Sequence, residues 1–407
     1  MFFLKSAFCR IYQTAFRIAL PVLPYREPEI IDSSAKLGGI LQKEKVKSAL
    51  IVTDQGIVSN GLTEPIVKAL EASKTAYTVY DKTRPNPTVD NVEEAYSLYR
   101  EKGCGCLIAV GGGSSMDCAK AVGAKAAYPK KSIGEMKGVL KVLRPLPTLI
   151  AVPTTAGTGS EVTLAAVITD SQKHDKYALM SFPLIPHYAV LDPALTYSLP
   201  RSLTATTGMD ALTHAVEAYI GRSTTRETRR LALEAVKLVF QNIEAAYRDG
   251  QNREARENML HAAYKAGVAF SKSYVGYIHA VAHSLGGQYG TPHGLANAVI
   301  MPYVLEAYGE TIYGKLHRLG VAAGVSAPEQ ADQDAAKAFI AAIRELNRNM
   351  GIPEKIEGIK EEDIPAMARH AEKEANPLYP VPKLMTAKEL ESFYYQIADW
   401  SENNDRQ

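Results

Sequence analysis

The chain has 407 residues, more than one ordinary hydrophobic core holds, so two domains are expected. Its 46% hydrophobic and 22% charged residues are ordinary globular values and exclude a disordered, collagenous or coiled-coil chain. The 46 Lys and Arg against 44 Asp and Glu leave a net charge of +2, which gives no electrostatic support for a nucleic-acid or polyanion partner.

Residues 1–29 form a distinct extension. The stretch before Pro24 is rich in Phe, Ile and Leu, and Lys5, Arg10 and Arg17 interrupt every apolar run. No transmembrane segment of about 20 apolar residues results. The pattern predicts an amphipathic helix that docks through a stripe of Phe8, Tyr12, Ala15 and Ala19, with a targeting segment or membrane-surface contact as the alternative. Cys9, Cys104, Cys106 and Cys118 form no C-x-x-C pair, so neither a disulfide framework nor a zinc ribbon is expected. Reduced thiols fit a cytoplasmic protein.

From about 48 to 192 short β-rich runs alternate with helical stretches. The runs are 49–53, 77–80, 106–110, 149–152, 165–169 and 188–191. They are continuously apolar, as strands covered on both faces must be. Asp90 with Glu93 reads as the start of a helix that closes on Gly103. Alternation of this kind predicts an α/β domain with a Rossmann-like parallel sheet over 30–196.

Beyond the proline-flanked stretch 192–200 the β-runs vanish, and 197–407 reads as an all-helical domain. Thr224 with Glu227 marks a helix start, Leu231, Ala235, Leu238 and Val239 recur at helical spacing, and Gly250 ends the segment. Further helices are predicted over 254–270, 277–288, 294–308, 330–349 and 386–398.

Two features carry chemistry. The run at 106–110 ends in Gly111, Gly112 and Gly113, followed by Ser114, Ser115 and Asp117. Consecutive glycines at a strand end let a ligand approach the backbone, and the helix that follows aims free N–H groups at an anion. A second polar turn over 153–161, with Thr154, Thr155, Thr158 and Ser160, follows the next run. Two such turns at neighbouring strand ends suit a nucleotide. Asp54, at the end of the first run, could accept from an adenosine ribose and repel a 2′-phosphate, or simply cap a helix.

The second feature is a set of histidines. Asp210 and His214 are i, i+4, and so are His279 and His283; His293 follows ten residues later. On helices each pair shares a face and suits a divalent metal. A zincin reading fails, because Ala280 stands where the glutamate base belongs. An N/O site without thiolate suits iron, zinc, manganese or cobalt.

These motifs make the chain resemble the iron-containing (group III) alcohol dehydrogenases, within the dehydroquinate-synthase-like superfamily, over about residues 30–400. The resemblance implies a nucleotide-binding domain followed by a helical metal-binding domain, with the active site between them. It implies metal ligands at Asp210, His214, His279 and His293, and a role for His283 as proton relay or as an orienter of the nicotinamide. It implies cofactor contacts at Asp54, Asn86, Gly112, Gly113, Ser114, Asp117, Thr154, Thr155 and Lys176. The implied cofactors are NAD, with NADP as the alternative, and a divalent ion, Fe²⁺ or else Zn²⁺. The implied reaction is hydride transfer on small primary alcohols and aldehydes by a homodimer or larger homo-oligomer. One departure stands at Ala165, where diol-reducing members often carry a polar residue; it points to a more apolar pocket with Phe270 on its wall. A lyase of the dehydroquinate-synthase type would need several Lys and Arg around these motifs. A silent binding protein would have no need of all four ligand positions.

Overall fold

A computed structural model describes residues 2–19, 22–172 and 175–400. Two compact units emerge: Pro24–Leu199, and Pro200 onward together with the segment before Pro24. Among the described residues no helix is long and apolar enough to cross a membrane.

Among its described residues the first unit carries nine strands: β1 (Glu29–Ile31), β2 (Ser48–Val52), β3 (Ala76–Tyr80), β4 (Cys106–Gly111), β5 (Gly138–Val139), β6 (Thr148–Pro153), β7 (Ala165–Asp170), β8 (Asp175–Met180) and β9 (Tyr188–Val190). Six of them form an all-parallel sheet in the order β1-β9-β6-β4-β2-β3. Alternate residues feed two cores. Leu50, Val52, Leu107 and Ala109 pack on one face, and Ala49, Ile51, Cys106 and Ile108 on the other. Burial on both faces is why these strands read as unbroken apolar runs. The strand order reverses between β2 and β4, and the carboxyl edge at such a reversal is where open α/β sheets bind ligands.

The run at 165–169 is a strand, but not one of this sheet. As β7 it pairs antiparallel with β8 in a separate three-stranded sheet ordered β5-β8-β7. Only Ala166 and Ile168 of β7 are buried, so one face alone is packed, and length and composition could not reveal that. The expected helix start at Asp90 is also displaced. The helix Val89–Glu101 is capped by Thr88, whose Oγ1 accepts from the Asn91 backbone while the Asn91 side chain accepts from the Thr88 N–H. The Thr224–Glu227 box slips by one residue in the same way: Thr225 and Thr228 cap the helix Arg226–Arg248. Backbone conformation selects the cap, and several hydroxyls in a row leave the sequence signal degenerate.

In the second unit no strand occurs among the described residues. Its centre is the helix Arg201–Ile220, buried on every side from Gly208 to Ile220. The helices Arg226–Arg248, Arg253–Ser273, Tyr277–Tyr289 and His293–Tyr308 follow, then Tyr313–Ala323, Asp332–Asn349, Ile364–Ala375 and Ala387–Ile397. Two of these, Tyr313–Ala323 and Ile364–Ala375, have no counterpart among the expected ones. The extension forms the helix Phe2–Ala19. Its predicted docking stripe is reversed: Phe8 and Tyr12 are 60% and 40% exposed, whereas Cys9 and Gln13 are buried. Polar anchors choose that face. Arg10 donates to the carbonyls of Val381 and Pro382, and Gln13 Nε2 to that of Tyr379.

Candidate functional site

In the first unit the candidate nucleotide-binding residues gather at the ends of β2, β4 and β6. In the β4–β6 register Gly111 lies opposite Pro153, and the Thr154 N–H donates to the Gly111 carbonyl at 3.0 Å. The two polar turns are thereby held side by side. Gly111 has φ +145°, a conformation L side chains rarely adopt, which swings the chain from strand into helix. Gly112 is the N-cap of the helix Gly113–Ala127 and offers no side-chain partner to its first N–H groups. Thr155 lies about 3.5 Å from where a Cβ on Gly112 would stand. The backbone N–H groups at this helix start are thus open to an anion.

Asp54 caps the short helix Gln55–Ser59, its Oδ1 accepting from the Ile57 N–H at 3.0 Å. The cap reading is therefore correct as far as Oδ1 goes. Oδ2 points towards the glycine turn, 3.7 Å from the Cβ position of Gly111. Asn86 and Lys176, ninety residues apart, meet at 2.8 Å through Asn86 Oδ1 and Lys176 Nζ. Asp117 stands differently from the other cofactor candidates. Its Oδ1 accepts from Ser160 Oγ at 2.8 Å and its Oδ2 from the Val167 N–H at 3.0 Å. It ties the second turn to β7, which is a positioning role. Lys120, one helical turn on, is fully buried and donates to Ser160 Oγ, Thr163 Oγ1 and the carbonyls of Thr163 and Ala165. Burial pulls its ammonium down to about 8.

The candidate metal ligands lie in the second unit. Asp210 and His214 come from the buried helix Arg201–Ile220, His279 from Tyr277–Tyr289, and His293 from the first turn of His293–Tyr308. One ligand atom from each of the four lies within 4.8 Å of the others. Gly294 permits this, because a Cβ there would stand 2.3 Å from the Thr206 carbonyl oxygen. Only a residue without a side chain lets the two helices close enough for His293 Nε2 to come 3.5 Å from Asp210 Oδ1. The His214 and His279 rings stack at 4.5 Å, and Phe270 covers the other face of His214 at 4.1 Å.

His279 is oriented from behind. Glu217 Oε2 lies 2.6 Å from its Nδ1, while the same carboxylate accepts from the N–H groups of Gly276 and Ile278 at 2.8 Å each. Burial pushes the Glu217 carboxyl up to about 7 and holds the His279 imidazole neutral. With Nδ1 so engaged, Nε2 faces the cluster. It is buried with no hydrogen-bond partner among the described residues, 3.9 Å from Asp210 Oδ1. A buried ring nitrogen left without a donor, beside two more imidazoles and a carboxylate, fits a divalent cation with N/O preference. Asn297 Nδ2 donates to Asp210 Oδ1 at 2.7 Å and steadies the carboxylate.

His283, one turn beyond His279, stacks on His293 at 5.1 Å. Its Nδ1 lies 2.6 Å from Glu374 Oε1, which also accepts from the Tyr379 hydroxyl at 2.7 Å. Glu217 and Glu374 are the residues that sequence reasoning missed. Glu217 had a signal, lying one helical turn beyond His214 and Thr213 on a helix too apolar to carry an idle charge. Glu374 had none.

Comparison with known proteins fits this geometry. Residues 31–193 match the family model described as iron-containing alcohol dehydrogenase, and residues 204–398 the C-terminal model of the same family. The chain is 38% identical to 1,3-propanediol dehydrogenase of Klebsiella pneumoniae over 334 residues, 81% of this chain and 86% of that one. It is 40% identical to alcohol dehydrogenase 4 of Saccharomyces cerevisiae over 333 residues, with the same coverage of 81% and 86%. Among solved structures, sulfoacetaldehyde reductase from Bifidobacterium kashiwanohense in complex with NAD⁺ matches with a TM-score of 0.82 at 29% identity, covering 92% of this chain and 98% of that one.

Proposed function

The chain belongs to the iron-containing alcohol dehydrogenase family, and from that premise we propose that Asp210, His214, His279 and His293 hold its divalent ion and that the turn at Gly112, Gly113 and Ser114 holds the pyrophosphate of its dinucleotide. The enzyme is an NAD-linked, metal-dependent alcohol dehydrogenase and aldehyde reductase of small primary alcohols and aldehydes. The observation that supports the ligand assignment is the convergence of four ligand atoms within 4.8 Å.

When bound, the ion supplies a Lewis acid for the substrate oxygen and the dinucleotide supplies the hydride. The residues do the rest. The N–H groups at the start of the helix Gly113–Ala127 bind the pyrophosphate, with Ser114 adding a hydroxyl. Asp54 Oδ2 accepts from the ribose, while Thr154, Thr155, Asn86 and Lys176 line the cofactor and Asp117 steadies the second turn. Phe270, stacked on His214, walls the site with an apolar ring and excludes water from it. Since His283 Nδ1 is turned to Glu374, the proton exchanged with the substrate oxygen travels through Nε2.

Iron is the expected ion and zinc the alternative. We also read the enzyme as cytoplasmic and as a homodimer or larger homo-oligomer. The four cysteines, all buried and none in a disulfide, support the first, and light scattering on the purified chain tests the second.

The test is His279→Ala, assayed by loss of NADH absorbance over a panel of short aldehydes, with metal content measured on the same samples. Activity and bound metal should fall together. Full turnover with normal metal would refute the ligand set.

A further inference from the structure

Outside the site described above, the helical unit contains a cavity of about 450 Å³. Five cations line it: Arg17, Arg222, Arg229, Lys315 and Arg318; among the described residues no Asp or Glu does. Overall charge balance argued against a polyanion partner, yet here the positive charge is concentrated locally. Lys315 is already committed, its Nζ donating to the carbonyls of Ile220 and Gly221 at the end of the helix Arg201–Ile220. Arg229 donates to Thr224 Oγ1. The guanidinium groups of Arg17, Arg222 and Arg318 have no hydrogen-bond or ion-pair partner among the described residues. Burial, and then the facing Arg222, Arg229, Arg17 and Arg318, pull the Lys315 ammonium down to about 8.

Arg17, Arg222, Arg229 and Arg318 are solvent-exposed around one opening, so an anion bound there would meet several cations at once. Guanidinium forks match phosphate oxygens two at a time. The cavity exceeds what one orthophosphate fills and lies within the range of small-molecule sites. We propose that this pocket binds a compact polyphosphate, either free or as the phosphate chain of a nucleotide. Arg17 comes from the helix Phe2–Ala19, ahead of the region that the family models match, so one wall belongs to this chain's own extension.

The test titrates the full chain with inorganic tripolyphosphate by calorimetry. NAD⁺ is kept saturating so that the glycine turn is filled, and ionic strength is matched with NaCl. A parallel titration uses adenosine triphosphate. Wild type should bind tripolyphosphate, and R222Q/R318Q should lose at least tenfold in affinity while keeping NADH-dependent aldehyde reduction unchanged. Arg17→Gln, at an exposed position, should lose several-fold without any effect on folding. Tighter binding of adenosine triphosphate identifies a nucleotide as the ligand, and tripolyphosphate alone an inorganic chain; either upholds the pocket. Equal affinity in wild type and both variants, or no binding at matched ionic strength, overturns it.

Discussion

Glu217 Oε2 and His279 Nδ1 lie 2.6 Å apart in a fully buried setting. The same carboxylate accepts the Gly276 and Ile278 N–H groups at the start of the helix Tyr277–Tyr289. One group thus caps a helix and selects which nitrogen of His279 faces the cluster.

Replacing it should therefore damage two properties at once. Glu217→Gln keeps an oxygen for one contact and loses the charge, and should weaken metal binding by about 10–100-fold. Glu217→Ala also strands two buried donors and should cost on the order of 2–4 kcal/mol of stability. Metal titration and urea unfolding separate the effects. Unaltered metal affinity in Glu217→Gln would remove Glu217 from the site.

Glu374 makes the matching contact to His283, 2.6 Å from Nδ1. Glu374→Gln should lower kcat by about 10-fold or more, with metal content and NADH affinity preserved, because a proton relay loses orientation and basicity. Steady-state kinetics beside metal analysis checks this. A change confined to KM would assign His283 to substrate or cofactor placement instead.

Asp54→Asn keeps the Oδ1 that caps Gln55–Ser59 and removes the negative charge. The ratio of kcat/KM for NADPH to that for NADH should rise severalfold, as a charge facing the extra phosphate disappears. A ratio equal to wild type would leave Asp54 as a cap alone.

Glu161, buried in the second polar turn, has its carboxyl pushed by burial up to about 7 from a usual 4.5. Between those values the folded chain binds the proton that the unfolded chain has released, so stability falls as pH rises from about 4.5 to 7. The cost is complete above 7 and amounts to at most about 3 kcal/mol. Glu161→Gln should be more stable than wild type at pH 8, with the difference vanishing near pH 4. Urea unfolding at both values decides it; a difference independent of pH would sink the assignment.

The β/α alternation, the glycine turn and the i, i+4 pairs Asp210/His214 and His279/His283 were legible in the chain because they rest on local period and spacing, whereas the choice of His293 over His283 as a candidate ligand came only from the family resemblance. An i, i+4 pair shares a helix face whatever surrounds it, and a strand buried on both faces must be apolar throughout. Tertiary structure decided what depends on distant partners. Glu374 sits 91 residues from His283, and Lys120 more than forty from Thr163, so no local pattern joins them. The helix Phe2–Ala19 shows the same limit. Its sequence marks two faces, but the carbonyls of Tyr379, Val381 and Pro382, supplied from the far end of the chain, determine which one is buried.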